Sequence, residues 1–343
     1  MTMGRTAPRR RLPRSGLERE RVFQRRRRAA LAGAAILLLL LVWAVSAVTG
    51  GGGSASGDKA RPAELPRGGR IVLPSYRLVA YYGAPQHDDL GVLGIGTPEQ
   101  AASGLLRQAN GFVRPGRPVM PAFELIVTLA QADPGQDGKY RLRQTPEVIK
   151  SYLAAVRKIK GLLILDVQPG QADFVDEVEA LAPYLSQPDV ELALDPEWSL
   201  PAGHVPGKEI GSTDAATVNT VSEYLAGIVR ARRLPQKVLI VHQFTEGMLP
   251  DRDLVADRPG VAIVHNVDGF GNKDEKSNIY GKLAYRVGAG AAGTTGASGT
   301  TGEAAAPPSR FNGFKLFFHE DTGLMTPAQV LALEPPPDVV VYE

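Results

Sequence analysis

Residues 190–200 read V-E-L-A-L-D-P-E-W-S-L, an apolar run that ends in two carboxylates. Asp195 and Glu197 are two residues apart, and Trp198 follows directly. Side chains two apart in a strand point to the same side of the sheet. The stretch therefore predicts a buried strand whose end brings two acids and an aromatic ring into one space, an arrangement suited to binding a sugar.

Seven further apolar runs accompany this one, and helical stretches lie between most of them. Each run is continuous rather than alternating, which is typical of parallel strands covered on both faces. Thr97, Thr145 and Thr326 each precede a proline at a predicted helix start, as capping residues do. The alternation predicts an α/β fold, and eight strands favour a closed (β/α)8 barrel of the TIM type. The runs are residues 77–82, 118–124, 161–166, 190–195, 237–243, 261–266, 311–318 and 338–342.

The sequence stops at Glu343, directly after the eighth run. We therefore expect a barrel that lacks its last helix, with residues 57–76 or an oligomer partner covering that side. Residues 49–76 are predicted to be a flexible linker because they are rich in Gly, Ser and Pro. The barrel is assigned to residues 77–343, with a low-complexity, disordered insertion at 288–308.

The positive charge of the chain is concentrated at its N-terminus. Residues 1–28 hold eleven Arg and two Glu, a net charge of +9. Because the whole chain carries +3, residues 29–343 carry −6. The basic stretch is therefore interpreted as a cytoplasmic flank of a membrane segment, and no nucleic-acid partner is predicted.

Residues 29–48 contain no charge, and about 20 residues suffice for a helix to cross the hydrocarbon core. Arginines before this run keep the N-terminus in the cytoplasm. We expect an uncleaved, single-pass transmembrane anchor, although Val45-Ser46-Ala47 resembles a signal-peptide cleavage site. Either way, the barrel is predicted to lie outside the cytoplasm, and the absence of Cys is compatible with an oxidising exterior.

Polar side chains finish nearly every predicted strand, at the end where (β/α)8 barrels carry their active sites. Few Lys or Arg occur there, so ion pairing explains the carboxylates poorly. We therefore expect a ligand-binding cleft at this end. The residues singled out are Tyr82, Glu124, Asp166, Gln168, Asp195, Glu197, Trp198, Gln243, His265, Asp268 and Glu320.

Two histidines raise the alternative of a metal site. His242 and His265 end consecutive predicted strands and could ligate a metal with Glu124 or Asp166. Neutral histidines that donate to neighbouring carboxylates are the favoured interpretation, so no metal is predicted. No phosphate loop, dinucleotide glycine pattern or G-x-S-x-G elbow precedes a helix, and no cofactor is predicted.

The carboxylates on the predicted strand ends resemble those of glycoside-hydrolase-type (β/α)8 barrels. Asp195-Pro196-Glu197 is similar to the fourth-strand acid pairs of lysozyme-like and chitinase-like barrels. Glu197 opposite a seventh-strand Glu320 resembles the large retaining-glycosidase clan. The chain departs from these families in having no N-E-P before the fourth loop and no D-x-x-D-x-D-x-E run. Residues 77–343 also resemble uncharacterised envelope proteins of high-GC actinobacteria.

The resemblance implies hydrolysis of an envelope polysaccharide by one protonated and one ionised carboxyl. Glu197 is the expected acid, because burial against Trp198 raises the pKa of a carboxyl. Asp166 or Glu320 is the expected partner, and Asp195 tunes the pKa of Glu197 by like-charge repulsion. Substrate contacts are expected from Tyr82, Glu124, Gln168, Trp198, Gln243, His265 and Asp268.

Two other interpretations remain open. A non-catalytic envelope protein could bind glycan or a protein partner through the same barrel mouth. Carboxyl pairs about 5–5.5 Å apart across an open cleft favour a retaining hydrolase, and pairs about 6.5–9.5 Å apart favour an inverting one. Greater separation, or carboxylates held in ion pairs, favours binding or a scaffold. A metal-dependent hydrolase is the third interpretation.

Overall fold

The computed structural model describes residues 62–286 and 310–343. Pro62–Glu343 forms one compact unit. The predicted basic tail 1–28, transmembrane helix 29–48 and insertion 288–308 lie outside the described residues. Within the two described ranges, no helix has the length and apolar character needed to cross a bilayer.

Eight parallel strands close into a barrel, because the first strand pairs with both the second and the last. A short ninth strand, β3 (Arg141–Arg143), pairs antiparallel with the end of β2 and lies outside the barrel circuit. The predicted (β/α)8 barrel is confirmed. Its strands are β1 (Arg77–Gly83), β2 (Val119–Ala130), β4 (Leu162–Val167), β5 (Val190–Leu194), β6 (Lys237–Gln243), β7 (Val261–Val267), β8 (Arg310–Leu316) and β9 (Val339–Tyr342).

Helices cover the outside of the barrel in all but one of the connections between consecutive barrel strands. The fully described β6–β7 connection contains two 3₁₀ turns, Glu246–Met248 and Arg252–Leu254, and no α-helix. The three predicted threonine caps are confirmed, since each side chain accepts a hydrogen bond from a backbone N–H of its helix. The helices are α1 (Pro98–Asn110), α2 (Pro146–Lys158), α3 (Phe174–Ala180), α4 (Ala182–Leu185), α5 (Ala215–Arg232), α6 (Lys273–Leu283) and α7 (Pro327–Leu331).

Two apolar cores lie on the two faces of the sheet. The outer core joins strand residues such as Val79, Phe123 and Leu239 to the helices. The inner core fills the barrel with residues of the opposite parity, among them Ala80, Ala122 and Ile240. Since side chains alternate between faces, even-numbered residues of β6 and β7 point into the barrel.

Residues 62–76 belong to the folded unit, although the sequence assigns them to the flexible linker. Leu65, Val72 and Leu73 are buried and join the inner core. The side chain of Gln236 accepts hydrogen bonds from the backbone N–H groups of Val72 and Leu73, each at 2.9 Å. The segment therefore closes the end of the barrel at which the strands begin.

Aromatic side chains cover the outer face of β9, where residues 57–76 or an oligomer partner were expected. Within the described residues, no helix follows this strand. The ring of Tyr342 packs on Phe112 and stacks on Phe318, with ring centroids 6.2 Å and 5.4 Å away. These two aromatic rings cover this part of the strand, whereas the described residues 62–76 pack on the inner core.

The second barrel strand is longer than predicted. Glu124 was expected at its end, but β2 continues for six residues to Ala130 and then turns back into β3. Arg141 and Arg143 of β3 both donate to the buried carboxylate of Glu177 on α3. Glu124 therefore lies inside the barrel rather than at its rim.

Candidate functional site

The carboxyl ends of the barrel strands surround a cleft of about 400 Å³. Trp198, Phe270 and Phe317 form part of its wall, and 65% of the surface of Phe270 is exposed. The charged residues of the wall are Asp89, Glu197, Asp268, Lys315, Glu320 and Glu343. A concave site with apolar faces and a few converging polar groups is typical of a small-ligand site.

A 3₁₀ turn, Pro196–Trp198, positions Glu197 and Trp198 directly after β5. The strand alternation expected to carry both acids therefore ends at Leu194. The backbone N–H of Gly211 donates to the carbonyl of Glu197 at 2.6 Å. A Cβ atom at Gly211 would lie 2.3 Å from the carbonyl oxygen of Ser199, so this close approach of the loop requires glycine.

The carboxyl of Glu197 has the properties expected of a general acid. Its side chain is half-buried and lines the cleft. Burial raises its pKa to about 7, against the opposing attraction of Lys315. Asp195 lies beneath it, and burial together with the charge of Glu197 raises the pKa of Asp195 to about 8. Glu197 can therefore hold a proton near neutral pH while remaining in contact with the cleft.

A hydrogen-bonded layer underlies Glu197. The hydroxyl of Tyr82 donates to Asp166 Oδ2 at 3.0 Å, and Gln168 Nε2 donates to Tyr82 Oη at 3.1 Å and to Asp195 Oδ2 at 3.4 Å. Asp166 is completely buried. Burial and the nearby Asp195 raise its pKa well above the usual range. Because Asp166 is completely buried and does not line the cleft, it is unsuited to act on a substrate as a base or nucleophile.

His242 lies between two carboxyls inside the barrel. Its Nε2 is 2.8 Å from Glu124 Oε1, and its Nδ1 is 2.8 Å from Asp268 Oδ2. Burial alone would lower the pKa of His242, but the charges of Asp268 and Glu124 raise it well above the usual value. Asn266 Nδ2 donates to Asp268 Oδ1 at 2.5 Å and fixes that carboxylate.

Lys315 brings a positive charge into the floor of the cleft. Its Nζ lies 2.6 Å from Glu343 Oε2, 3.8 Å from Asp268 Oδ2 and 3.6 Å from the centre of the Tyr82 ring. Burial opposes this charge, but Glu343 and Asp268 raise the pKa of Lys315 above its usual value. His242 and Lys315 together lower the pKa of Asp268 despite its burial, so Asp268 is ionised.

The predicted site residues fall into three groups. One group lines the cleft, a second lies buried beneath it, and a third points away from it. Gln243 and His265 form the third group, because their odd positions on β6 and β7 face the outer core. Those in the cleft are Tyr82, Gln168, Glu197, Trp198, Asp268 and Glu320; those beneath it are Glu124, Asp166 and Asp195.

The placement of His265 and Gln243 corrects the expectation that they bind substrate. His265 stacks on Tyr285, with ring centroids 6.2 Å apart, and burial followed by the charge of Arg252 lowers its pKa to about 4. The amide of Gln243 donates to the carbonyl of Thr245 at 3.0 Å. Both side chains pack on the outside of the barrel and do not face the cleft.

Two residues of the site, Lys315 and Glu343, were missed by the sequence reasoning. Lys315 lies within the apolar run F-N-G-F-K-L-F-F of residues 311–318. A lysine in a continuous buried strand must find a partner, because Lys is almost never fully buried unpaired. The position of Lys315 within an apolar run could therefore have predicted a buried ion pair at the end of this strand.

The fold and the cleft define the class of the protein as a (β/α)8 barrel with a polar site at the carboxyl ends of its strands. No protein-family model and no curated protein matches the chain. A solved structure of oxaloacetate acetylhydrolase in complex with the inhibitor 3,3-difluorooxalacetate is similar, with a TM-score of 0.40 and 13% sequence identity. The match covers 78% of this chain and 74% of that chain. The assignment to the barrel class rests on the closed sheet itself.

Proposed function

We propose that the cleft is a glycoside-hydrolase-type active site that acts on a cell-envelope polysaccharide, with Glu197 as the general acid. The observation that carries the proposal is the position of Glu197, which is half-buried in the wall of an aromatic-lined cleft, where burial raises its pKa to about 7. A carboxyl that stays protonated near neutral pH can donate to the leaving oxygen of a glycosidic bond.

The second carboxyl is assigned to Glu320. Asp166, the other expected partner, is completely buried and does not line the cleft. Asp268 is ionised, but both of its oxygens are occupied by His242 and Asn266. Glu320 is exposed and lines the same cleft as Glu197, so its carboxylate is available to activate water or to attack the sugar. Asp268 then stabilises the positive charge that develops on the sugar ring.

The remaining wall residues suit a carbohydrate. Trp198 and Phe270 offer faces on which a sugar ring can stack, and the carboxyls of Glu197 and Glu320 belong to the same wall. An envelope polysaccharide is proposed as substrate because residues 29–48 are predicted to anchor the chain with the barrel outside the cytoplasm.

The test is turnover of peptidoglycan and arabinogalactan fragments by the full-length protein and by Glu197→Gln. We expect the variant to lose at least about 100-fold in rate, because general acid catalysis contributes about 10²–10⁴-fold, while it still binds the fragment. Wild-type activity should also fall as pH rises through about 7, where Glu197 loses its proton.

Glu209→Gln is the matched control. Glu209 and Glu197 line a neighbouring cavity of about 250 Å³, but Glu209 is exposed and pairs with His204 at 2.6 Å. This variant should retain full activity. Undiminished turnover by Glu197→Gln would refute the assignment.

A specific observation favours a second function, binding without catalysis. The carboxyls of Glu124, Asp268 and Glu343 are all held in ion pairs with His242 or Lys315, as expected of a scaffolded binding surface. Under this alternative, wild-type protein binds a fragment without releasing products, and Trp198→Ala weakens binding whereas Glu197→Gln does not.

A further inference from the structure

Three possible metal ligands from three strands meet inside the barrel, beneath the cleft. Glu124 of β2, Asp166 of β4 and His242 of β6 each offer an atom, and these atoms all lie within 4.8 Å of one another. All three side chains have no exposed surface. The glycosidase proposal uses none of them to touch substrate.

Two oxygens of this cluster have no hydrogen-bond partner among the described residues, namely Glu124 Oε2 and Asp166 Oδ1. Leaving a buried polar atom unpaired costs about 1–3 kcal/mol, and more when the group is charged. The other oxygen of each carboxyl is used, by His242 Nε2 at 2.8 Å and by the hydroxyl of Tyr82 at 3.0 Å. A cation bound between the two carboxyls would satisfy both unpaired atoms.

The surroundings of His242 hold its ring as those of a metal ligand do. Nδ1 lies 2.8 Å from Asp268 Oδ2, and Asn266 fixes that carboxylate through its other oxygen. Metal-binding histidines commonly donate one ring N–H to such a carboxylate, which leaves the second nitrogen free for the metal. The second nitrogen of His242, Nε2, is the one that faces Glu124.

We propose that Glu124, Asp166 and His242 form a binding site for one divalent transition-metal ion, with Asp268 as the group that orients His242. The ion binds the deprotonated forms of all three groups, so the proton on Nε2 and any proton on the two carboxyls are released on binding. One imidazole and two carboxylates suit Zn²⁺ or Mn²⁺. They do not suit Ca²⁺ or Mg²⁺, which prefer oxygen ligands throughout. The ion ties β2, β4 and β6 together below the cleft.

A second cluster, His87, Asp88 and Asp89, serves as a comparison within the same chain. Its ligand atoms are also within 4.8 Å of one another. The exposed fractions of these three side chains are 62%, 73% and 88%, so water already solvates their polar atoms. An exposed cluster of this kind is not expected to retain a metal.

The experiment measures the metal content of the full-length protein after incubation with Zn²⁺, Mn²⁺, Ca²⁺ or Mg²⁺ and removal of unbound ions. We expect one Zn²⁺ or Mn²⁺ per chain and no retained Ca²⁺ or Mg²⁺. The bound ion should also raise the melting temperature, because it binds the folded state alone. Glu124→Gln and Asp166→Asn should each lower the metal affinity at least 10-fold.

The double variant Asp88→Asn, Asp89→Asn is the matched control and should bind metal like the wild type. His242→Gln tests the nitrogen ligand through the melting temperature, which added Zn²⁺ should leave unchanged. Wild-type protein that retains neither Zn²⁺ nor Mn²⁺ would overturn the proposal. So would equal retention by Glu124→Gln and Asp166→Asn, or loss of the ion in the double variant. None of these readouts depends on glycosidase activity.

Discussion

At the scale of single residues, Lys315 holds a positive charge among the acidic groups of the cleft. Its side chain is only 5% exposed and contacts Glu343, Asp268 and the face of Tyr82. Removing one partner of a buried ion pair leaves the other charge unpaired, which is more costly than losing an exposed pair.

Lys315→Met should therefore lower the free energy of unfolding by about 3–5 kcal/mol, measured by urea denaturation at pH 7. Its control is Lys158→Met, which breaks the exposed pair of Lys158 and Glu99 at 3.0 Å. That control should change stability little, because exposed pairs contribute little. Equal effects of the two substitutions would contradict the assigned role of Lys315.

The two histidines show which part of the site the sequence could predict. His242 and His265 both end apolar strands, and the sequence gives no sign of which points inward. Strands with apolar residues on both faces carry no alternation from which to read the direction. Only the register places His242 inside the barrel, opposite Asn266, and His265 outside, opposite Val241.

At the scale of secondary-structure elements, the first barrel strand depends on the segment that precedes it. Gln236 joins this segment to β6, since its Oε1 accepts from the N–H groups of Val72 and Leu73. Both bonds are buried, and 8% of Gln236 is exposed.

Gln236→Leu should lower the free energy of unfolding by about 1–3 kcal/mol, the cost of leaving buried donors without acceptors. Chemical denaturation would measure this change in the free energy of unfolding. Gln136→Leu, in the exposed loop before β3, changes the same residue type and should have little effect. A neutral Gln236→Leu would mean that the segment does not depend on these bonds.

The full length of β2 could be predicted from the sequence, whereas the packing of residues 62–76 on the barrel could not. After Glu124 the run continues L-I-V-T-L-A, which is apolar enough to extend the strand. Residues 62–76 contain many Gly, Pro and Arg, and only a few apolar side chains contact the barrel. The amino-acid composition of this segment predicts a linker. Composition does not reveal the contacts that single residues such as Leu65 and Leu73 make with the barrel.

At the scale of the whole molecule, the barrel keeps several carboxyls in surroundings that favour their neutral form. Glu191 is a case outside the cleft. It points into the barrel and accepts a hydrogen bond from the N–H of Val238 at 2.6 Å. Burial raises its pKa to about 7, although the charge of Lys237 opposes this. Between its ordinary pKa and about pH 7, the folded chain therefore holds a proton that the unfolded chain has lost.

A proton held only by the folded state contributes stability at low pH, and this contribution is lost as pH rises through about 7. We expect the contribution of Glu191 to stability to fall between its ordinary pKa of 4.5 and about pH 7, by about 1.4 kcal/mol for each pH unit over which the extra proton is held. Glu191→Gln stays neutral and should show a smaller fall in urea denaturation. Glu147→Gln, at an exposed position in α2, should behave as the wild type.

The fold itself was the most predictable feature. Eight apolar runs and their helix caps report local preferences, and a closed barrel is the arrangement in which all of them can pack. The site was predicted in location only. Which carboxyls line the cleft depends on strand parity and on long-range partners such as Lys315 and Glu343, which are 28 residues apart in sequence.

Glu343 has a practical consequence for anyone who labels or immobilises the protein. Its side chain lines the cleft and pairs with Lys315, and its carbonyl accepts from the N–H of Phe318 at 2.9 Å. A bulky group attached at this residue would lie at the rim of the site and would block a large polymer. Surface capture through a position on the opposite end of the barrel, near residues 62–70, leaves the rim accessible.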